Sequence, residues 1–192
     1  MENSLLMRTE APYALNFLIY IQNIYLNQNR NEEELRFPYY PSKVAFKEEF
    51  DLDYKNLWDK VSQRISDHHS NGVKIFYEEK DLFYQSLFVN NSDSLKEFNE
   101  IYKSFKVWWG SFAGHFAVER SIDEKCEKLY VELASSLTQK GIEPQKELSI
   151  SLVYDECLLV NLEVFSYFAI LPIKDFFVKH NELAPKLQKC IY

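Results

Sequence analysis

Apolar and polar positions follow two rhythms along this chain. From Leu148 to Tyr154 the period is two: Leu148, Ile150, Leu152 and Tyr154 point one way and Ser149, Ser151, Val153 and Asp155 the other, with Val153 the one exception to a half-buried strand. Asp155 and Glu156 interrupt the pattern. The run from Cys157 to Leu171 then resumes almost without polar residues, carrying only Asn161, Glu163 and Ser166. Leu158, Leu159, Leu162, Phe165, Ala169 and Ile173 also fall at helical spacing, but enrichment in Val, Ile, Phe and Tyr favours a pleated surface, so the reading is two strands joined by a tight turn. No other segment packs as many large apolar residues as Leu148–Phe177, which is therefore expected to centre the core.

Elsewhere the period is that of helices. Pro12 suits a first helical turn, and Tyr13–Leu26 is apolar around most of its circumference apart from a narrow stripe of Asn16, Tyr20, Asn23 and Asn27. The polar run Asn27–Glu34 should end this helix as a solvated loop. Phe37–Pro41 sets two tyrosines between prolines and must be extended or turned. Tyr54, Leu57, Trp58, Val61 and Ile65 form the stripe of an amphipathic helix closed near Gly72. Val73–Val89 reads as a hairpin around Glu78–Asp81, with a helix over 79–88 as the alternative. Ser94 and Glu97 form a capping-box pattern ahead of Leu95, Phe98, Tyr102, Phe105 and Trp109. Ser121 and Glu124 repeat it ahead of Ile122, Cys126, Leu129, Tyr130, Leu133 and Leu137, a helix that Gly141 and Pro144 stop. A short helix is expected near Pro185. The order of elements predicts an α+β fold: one predominantly helical domain over residues 1–192 with a small antiparallel sheet, built from a hairpin near 73–89 and strands near 148–171. An all-α fold is the alternative.

Composition narrows the function classes. A chain of 192 residues with 46% hydrophobic and 16% aromatic content has ample core material and is not of the disordered class. A net charge of -7 opposes nonspecific nucleic-acid binding, which needs a basic face to release counterions, and equally opposes an anionic membrane surface. A membrane span is excluded because the uncharged part of the C-terminal run is shorter than the ~20 residues required, carries Glu163 and has no basic flank. Cys126, Cys157 and Cys190 are odd in number, far apart and never paired as CxxC, so they form neither a disulfide framework nor a zinc knuckle. With no basic segment ahead of the first apolar residues, a cytoplasmic location is expected. Abundant Lys, Asn, Ile, Phe and Tyr beside only 4 glycines match the product of an AT-rich genome, such as that of a low-GC bacterium or its phage.

Three groups of residues could carry chemistry. Asp67, His68 and His69, in ISDHHSNG, form a triplet similar to the one that names the DHH phosphoesterases. That resemblance implies a metal-dependent hydrolase with these three as ligands. It covers three residues, no further metal motif of that family precedes it, and there the triplet ends a buried strand rather than an amphipathic helix. From the residues alone, His68 and His69 are adjacent and should project in different directions, unlike an i, i+4 ligand pair; a helix C-terminus favours histidine through the dipole in any case. Asp51, Asp53 and Asp59 would join only if the fold returned them to the same place. The second group lies in WWGSFAGHFAVER, where His115 and Glu119, four apart, could share a proton beside a pocket walled by Trp108, Trp109 and Phe112; the plainer reading is a satisfied core histidine. Third, Tyr39 and Tyr40, if exposed, would suit a binding edge; tyrosines laid over a core are the commoner arrangement.

No P-loop, GxGxxG or GxSxG pattern is present and no cofactor is implied. The leading expectation is a non-enzymatic factor that binds a protein partner, for which a basic partner would suit the acidic charge: an inhibitor, immunity protein or accessory subunit. The alternatives are the hydrolase at Asp67–His69 and a small-molecule binder around Trp108, Trp109, His115 and Glu119.

Overall fold

The computed structural model describes residues 5–30, 35–162 and 164–191. In chain order the elements are β1 (Met7–Glu10), α1 (Tyr13–Asn29), α2 (Phe50–Asp67), α3 (Asn71–Glu78), α4 (Lys80–Leu87), α5 (Ser92–Trp109), a π-helical turn (Phe112–Phe116), α6 (Ala117–Arg120), α7 (Asp123–Gln139), β2 (Leu148–Val153), β3 (Val164–Phe165), β4 (Phe168–Pro172), α8 (Asp175–Val178) and α9 (His180–Gln188). The chain is mostly helical with one small sheet, so the α+β class holds. It divides into two compact units. A helical unit comprises Pro12–Ser111 with Cys157–Val160, and a sheet unit comprises the residues up to Ala11, Phe112–Glu156 and the chain from Asn161 onward. Among the described residues no helix is long and apolar enough to cross a membrane.

The helical unit is built on α1, which is buried over nearly its whole circumference. The Phe17 ring is its aromatic hub, with centroids 5.4 Å from Phe76, 5.1 Å from Phe83 and 5.1 Å from Phe105. Buried Phe98, Tyr102, Phe105 and Trp109 give α5 the expected stripe, although Leu95 is exposed. Gly72 does not close α2, which ends at Asp67; it lies in the first turn of α3, where an added Cβ would stand 2.8 Å from the Pro12 Cβ. The predicted hairpin over 73–89 is instead α3 and α4, meeting at Glu79. Ile75, Phe76, Phe83, Tyr84 and Leu87 are β-prone by type, yet their burial follows helical spacing, and packing onto the aromatic core overrides propensity. Arg64 fixes the junction by donating to both Glu79 oxygens, at 2.8 and 2.5 Å. That pairing holds the Glu79 carboxyl below its ordinary range.

Neither capping box forms as expected. Asn91 caps α5, its Oδ1 accepting from the Ser94 amide at 2.8 Å, and α7 starts at Asp123 without a side-chain cap. The stop after α7 is as predicted: Gly141 takes a φ of +65° and the Ile142 amide returns to the Leu137 carbonyl at 3.0 Å.

In the sheet unit the strands run in the order β1-β2-β4-β3. The expected antiparallel arrangement is corrected: β1 with β2 and β2 with β4 are parallel, and only the two-residue β3 lies antiparallel, on β4. The chain does not turn tightly after β2. A connection that includes residues 154–162 precedes β3, and Tyr167 at φ 56° makes the reversal between β3 and β4. A central parallel strand is covered on both faces, which is why Val153 and even Ser151 are buried. The strands within Leu148–Phe177 supply the centre of this unit, while Cys157–Val160 of the same stretch belongs to the helical unit. Of the solvated loop expected over 27–34, residues 27–29 belong to α1 and 31–34 lie outside the described residues, as does Glu163 of the C-terminal run.

The crossing segment is pinned within the helical unit. The buried Gln22 Oε1 accepts from the Leu158 amide at 2.8 Å and the Leu159 amide at 3.3 Å, and its Nε2 donates to Asn23 Oδ1 at 3.1 Å. Leucine at this position would match the volume but orphan those groups, at a cost of about 1–3 kcal/mol. Gln22→Leu is expected to lower the Tm by about 2–10 °C in thermal unfolding followed by circular dichroism; an unchanged Tm would show that the bonds contribute nothing net.

Candidate functional site

The stripe of asparagines on α1 is not a solvated face. Asn23 and Asn27 are one helical turn apart, with Gln28 next in sequence, and all three carboxamides turn onto the loop 35–44. Asn23 Nδ2 donates to the Phe37 carbonyl at 2.7 Å. Asn27 Nδ2 donates to the carbonyls of Arg36 at 2.8 Å and Pro38 at 3.1 Å, while its Oδ1 accepts from the Arg36 amide at 2.9 Å. Gln28 Nε2 donates to the Ser42 carbonyl at 2.7 Å and its Oε1 accepts from the Val44 amide at 3.0 Å. A loop without regular structure has its backbone groups satisfied by side chains of the core helix.

What the loop carries on this frame is aromatic. Pro38 is buried, while Phe37 is 50% and Tyr39 66% exposed, beside Leu35 at 62%. The Phe37 ring lies 4.8 Å from Trp108 and 5.9 Å from Tyr20, and Tyr20 stacks on Trp108 at 5.9 Å. Tyr40 donates its hydroxyl to Glu100 Oε2 at 3.2 Å. Burial, then that hydrogen bond and the charges of Glu100 and Glu97, push the Tyr40 phenol up to about 12. Burial also carries Tyr20 to about 12, so both phenols stay protonated donors at neutral pH. Phe37, which the sequence reading did not single out, rests on Trp108 and directly precedes the Pro38-Tyr39-Tyr40 run.

Trp109 is buried, stacked on Phe105 at 5.5 Å. His115 and Glu119 belong to the sheet unit. There His115 Nε2 stands 3.1 Å from Glu119 Oε1, which also accepts from the Ala11 amide at 3.1 Å. Gly114, at ψ -120°, breaks the helical path of the π-turn that carries His115. The same turn exposes Phe112 and Phe116, whose rings meet edge-on at 5.5 Å, with the Arg120 guanidinium 5.7 Å from the Phe116 centroid. Glu10 stands at the end of β1, and its carboxyl is raised above the ordinary range by burial first, against the opposing charge of Arg8 and with the like charges of Glu119 and Glu147.

Asp67 ends α2, and His68 leaves it with extended backbone. The two imidazoles do not diverge as expected: their rings stack at 4.8 Å, 18° from coplanar. Two polar atoms of the triplet have local partners. Gln63 Nε2 donates to Asp67 Oδ1 at 3.2 Å, and His68 Nδ1 lies 2.8 Å from Ser70 Oγ. Asp53 and Asp59 sit on the same helix as Asp67, roughly 20 and 12 Å along its axis at 1.5 Å per residue, so they cannot close on it. Among the described residues no three His, Cys, Asp or Glu side chains gather as a metal ion would require. Burial pushes the Cys157 thiol up to about 12 and Cys190 to about 11, and raises Cys126, keeping all three out of the thiolate form a nucleophile needs at neutral pH.

Comparison of the chain with protein-family models, with curated proteins and with solved structures finds no match.

The Glu10 environment makes a pH-dependent prediction. A carboxyl whose folded pKa is raised holds its proton more tightly folded than unfolded, so the ionised form destabilises the fold. This penalty is absent below the ordinary value of 4.5 and grows to its full size as pH rises past the raised folded value. Glu10→Gln removes it. The variant is expected to melt above the wild type at pH 7.5, with the difference closing toward pH 4; a destabilised variant at pH 7.5 would show that the Arg8 attraction dominates instead.

Proposed function

We propose that this protein is a non-enzymatic interaction factor that binds a protein partner through the aromatic surface of the helical unit formed by Phe37, Tyr39, Tyr40 and Trp108, acting as an inhibitor, immunity protein or accessory subunit. The observation that carries this reading is the combination of exposed rings with a pinned backbone. Phe37 and Tyr39 keep half or more of their surface in water, although the carbonyls on either side are tied down by Asn23 and Asn27. Aromatic side chains supply much of the energy of protein interfaces, because they offer large contact area for few rotatable bonds. Holding them on an ordered loop means that association does not have to order it. The net charge of -7 adds a general electrostatic preference for a basic partner.

Binding is tested by affinity capture from the native source with immobilised wild type and a Phe37→Ser/Tyr39→Ser variant, followed by titration calorimetry with the purified partner. A stoichiometric partner is expected for the wild type, and each single alanine substitution at Phe37 or Tyr39 should weaken it by about tenfold or more. Equal capture by the double variant, or no stoichiometric partner at all, would overturn the reading.

A further inference from the structure

We infer that Asn27 is a positioning residue for this aromatic surface: its carboxamide, with that of Asn23, holds the loop 35–40 in its presenting conformation before any partner arrives. The consequence for binding rests on the function proposed above; the ordering of the loop does not. Three consecutive carbonyls, those of Arg36, Phe37 and Pro38, accept from two side chains at positions i and i+4 of α1, and the Arg36 amide donates back to Asn27. An asparagine is suited to this because its planar amide offers two donors and an acceptor at once, matching a backbone that doubles back on itself. Asn27 makes three of these bonds and grips the loop on both sides of Phe37, and Gln28 Nε2 adds a longer one to the Tyr40 carbonyl at 3.5 Å. Asn29 is the natural contrast. Two positions on, it is exposed, and its Nδ2 donates at 2.9 Å to the Tyr25 carbonyl of its own helix.

The loop's contact with Trp108 supplies a reporter. When Phe37 rests on the indole at 4.8 Å it shields one side of it, so a loop that lifts away leaves Trp108 open to a quencher. Asn27→Ala is compared with wild type and with Asn29→Ala in the free protein, by ¹⁵N relaxation, amide exchange and acrylamide quenching. The inference expects three results for Asn27→Ala alone. Exchange at the Arg36 amide accelerates by about tenfold or more. Order parameters over 36–40 fall from the rigid range near ~0.85 toward ~0.6 or below. Tryptophan quenching rises. Protection of the buried Ile19, Ile21 and Ile24 amides stays at the wild-type level. A loop that remains as ordered as in wild type, or protection lost uniformly along α1, overturns the inference, because the second outcome marks a merely global role. Should Asn27→Ala fail to fold, Asn27→Asp carries the same test: it keeps the acceptor for the Arg36 amide but loses the donor to the Arg36 and Pro38 carbonyls, and order parameters over 36–40 should fall without loss of protection along α1.

The two proposals fail differently. If Phe37 and Tyr39 substitutions leave partner binding unchanged while Asn27→Ala loosens the loop, the interaction reading is lost and the positioning role stands. If those substitutions abolish binding while the Asn27→Ala loop stays ordered, the surface is confirmed and Asn27 is not what positions it.

Discussion

A helix buried on nearly every side cannot leave a carboxamide without partners, and α1 carries several. Asn16, Gln22 and Asn23 are fully buried, and each unsatisfied amide would cost about 1–3 kcal/mol. Asn16 resolves this within the helix, donating to the Pro12 carbonyl at 2.9 Å. The others resolve it by recruiting irregular backbone: Gln22 takes the amides of Leu158 and Leu159, and Asn23 with Asn27 takes the loop through Phe37. Core and loops of the helical unit are therefore one hydrogen-bonded object. The same polar atoms that would be a liability in a greasy helix become the means by which two segments without regular structure acquire fixed positions.

The sheet unit meets an analogous demand at its edge. A short parallel strand such as β1 presents unpaired backbone groups on its outer side, and uncovered edges invite pairing with other chains. Side chains of α7 and α6 engage the backbone just beyond its two ends: the Tyr130 hydroxyl donates to the Leu5 carbonyl at 3.3 Å and Glu119 accepts from the Ala11 amide at 3.1 Å. Glu119 is thus already engaged with the backbone when it faces His115, and the pair reads as much as edge protection as chemistry.

Local periodicity was legible where local forces decide. The buried circumference of α1, the stripe of α2, the leucines of α7 and the glycine that stops it, and the strand at Leu148–Val153 all follow from spacing alone. What was hidden depends on distant partners. Ile75, Phe76 and Tyr84 have the composition of strands, and only their docking against Phe17, Tyr102 and Phe98 makes them helical. Parallel order cannot be read from a strand's own residues, and β1, four residues long with one exposed and three half-exposed, has almost no hydrophobic signal. For the site, the tyrosines between prolines were visible and Trp108 was singled out, but as part of a different pocket. The pinning role of Asn23 and Asn27 was within reach: three asparagines on one face of an otherwise apolar helix are unlikely to face water, and the question of what they bond to points at the nearest loop.

The ionisable groups and the aromatic groups of this protein have opposite fates, and the contrast bears on the function proposed for it. Asp67 and His68 are spent on a helix end, Glu119 on a strand edge, and burial holds Cys157 and Cys190 protonated. The aromatics are plentiful enough to fill the core around Phe17 and still leave Phe37 and Tyr39 outside it. Exposing large rings is unfavourable in isolation, and a loop free to move would fold them inward. Fixing the backbone from below removes that option, so the apolar surface stays presented to solvent at a defined place. A partner that covers it gains the burial of both rings without first arresting the loop, and that difference separates a surface suited to recognition from an incidental exposed side chain.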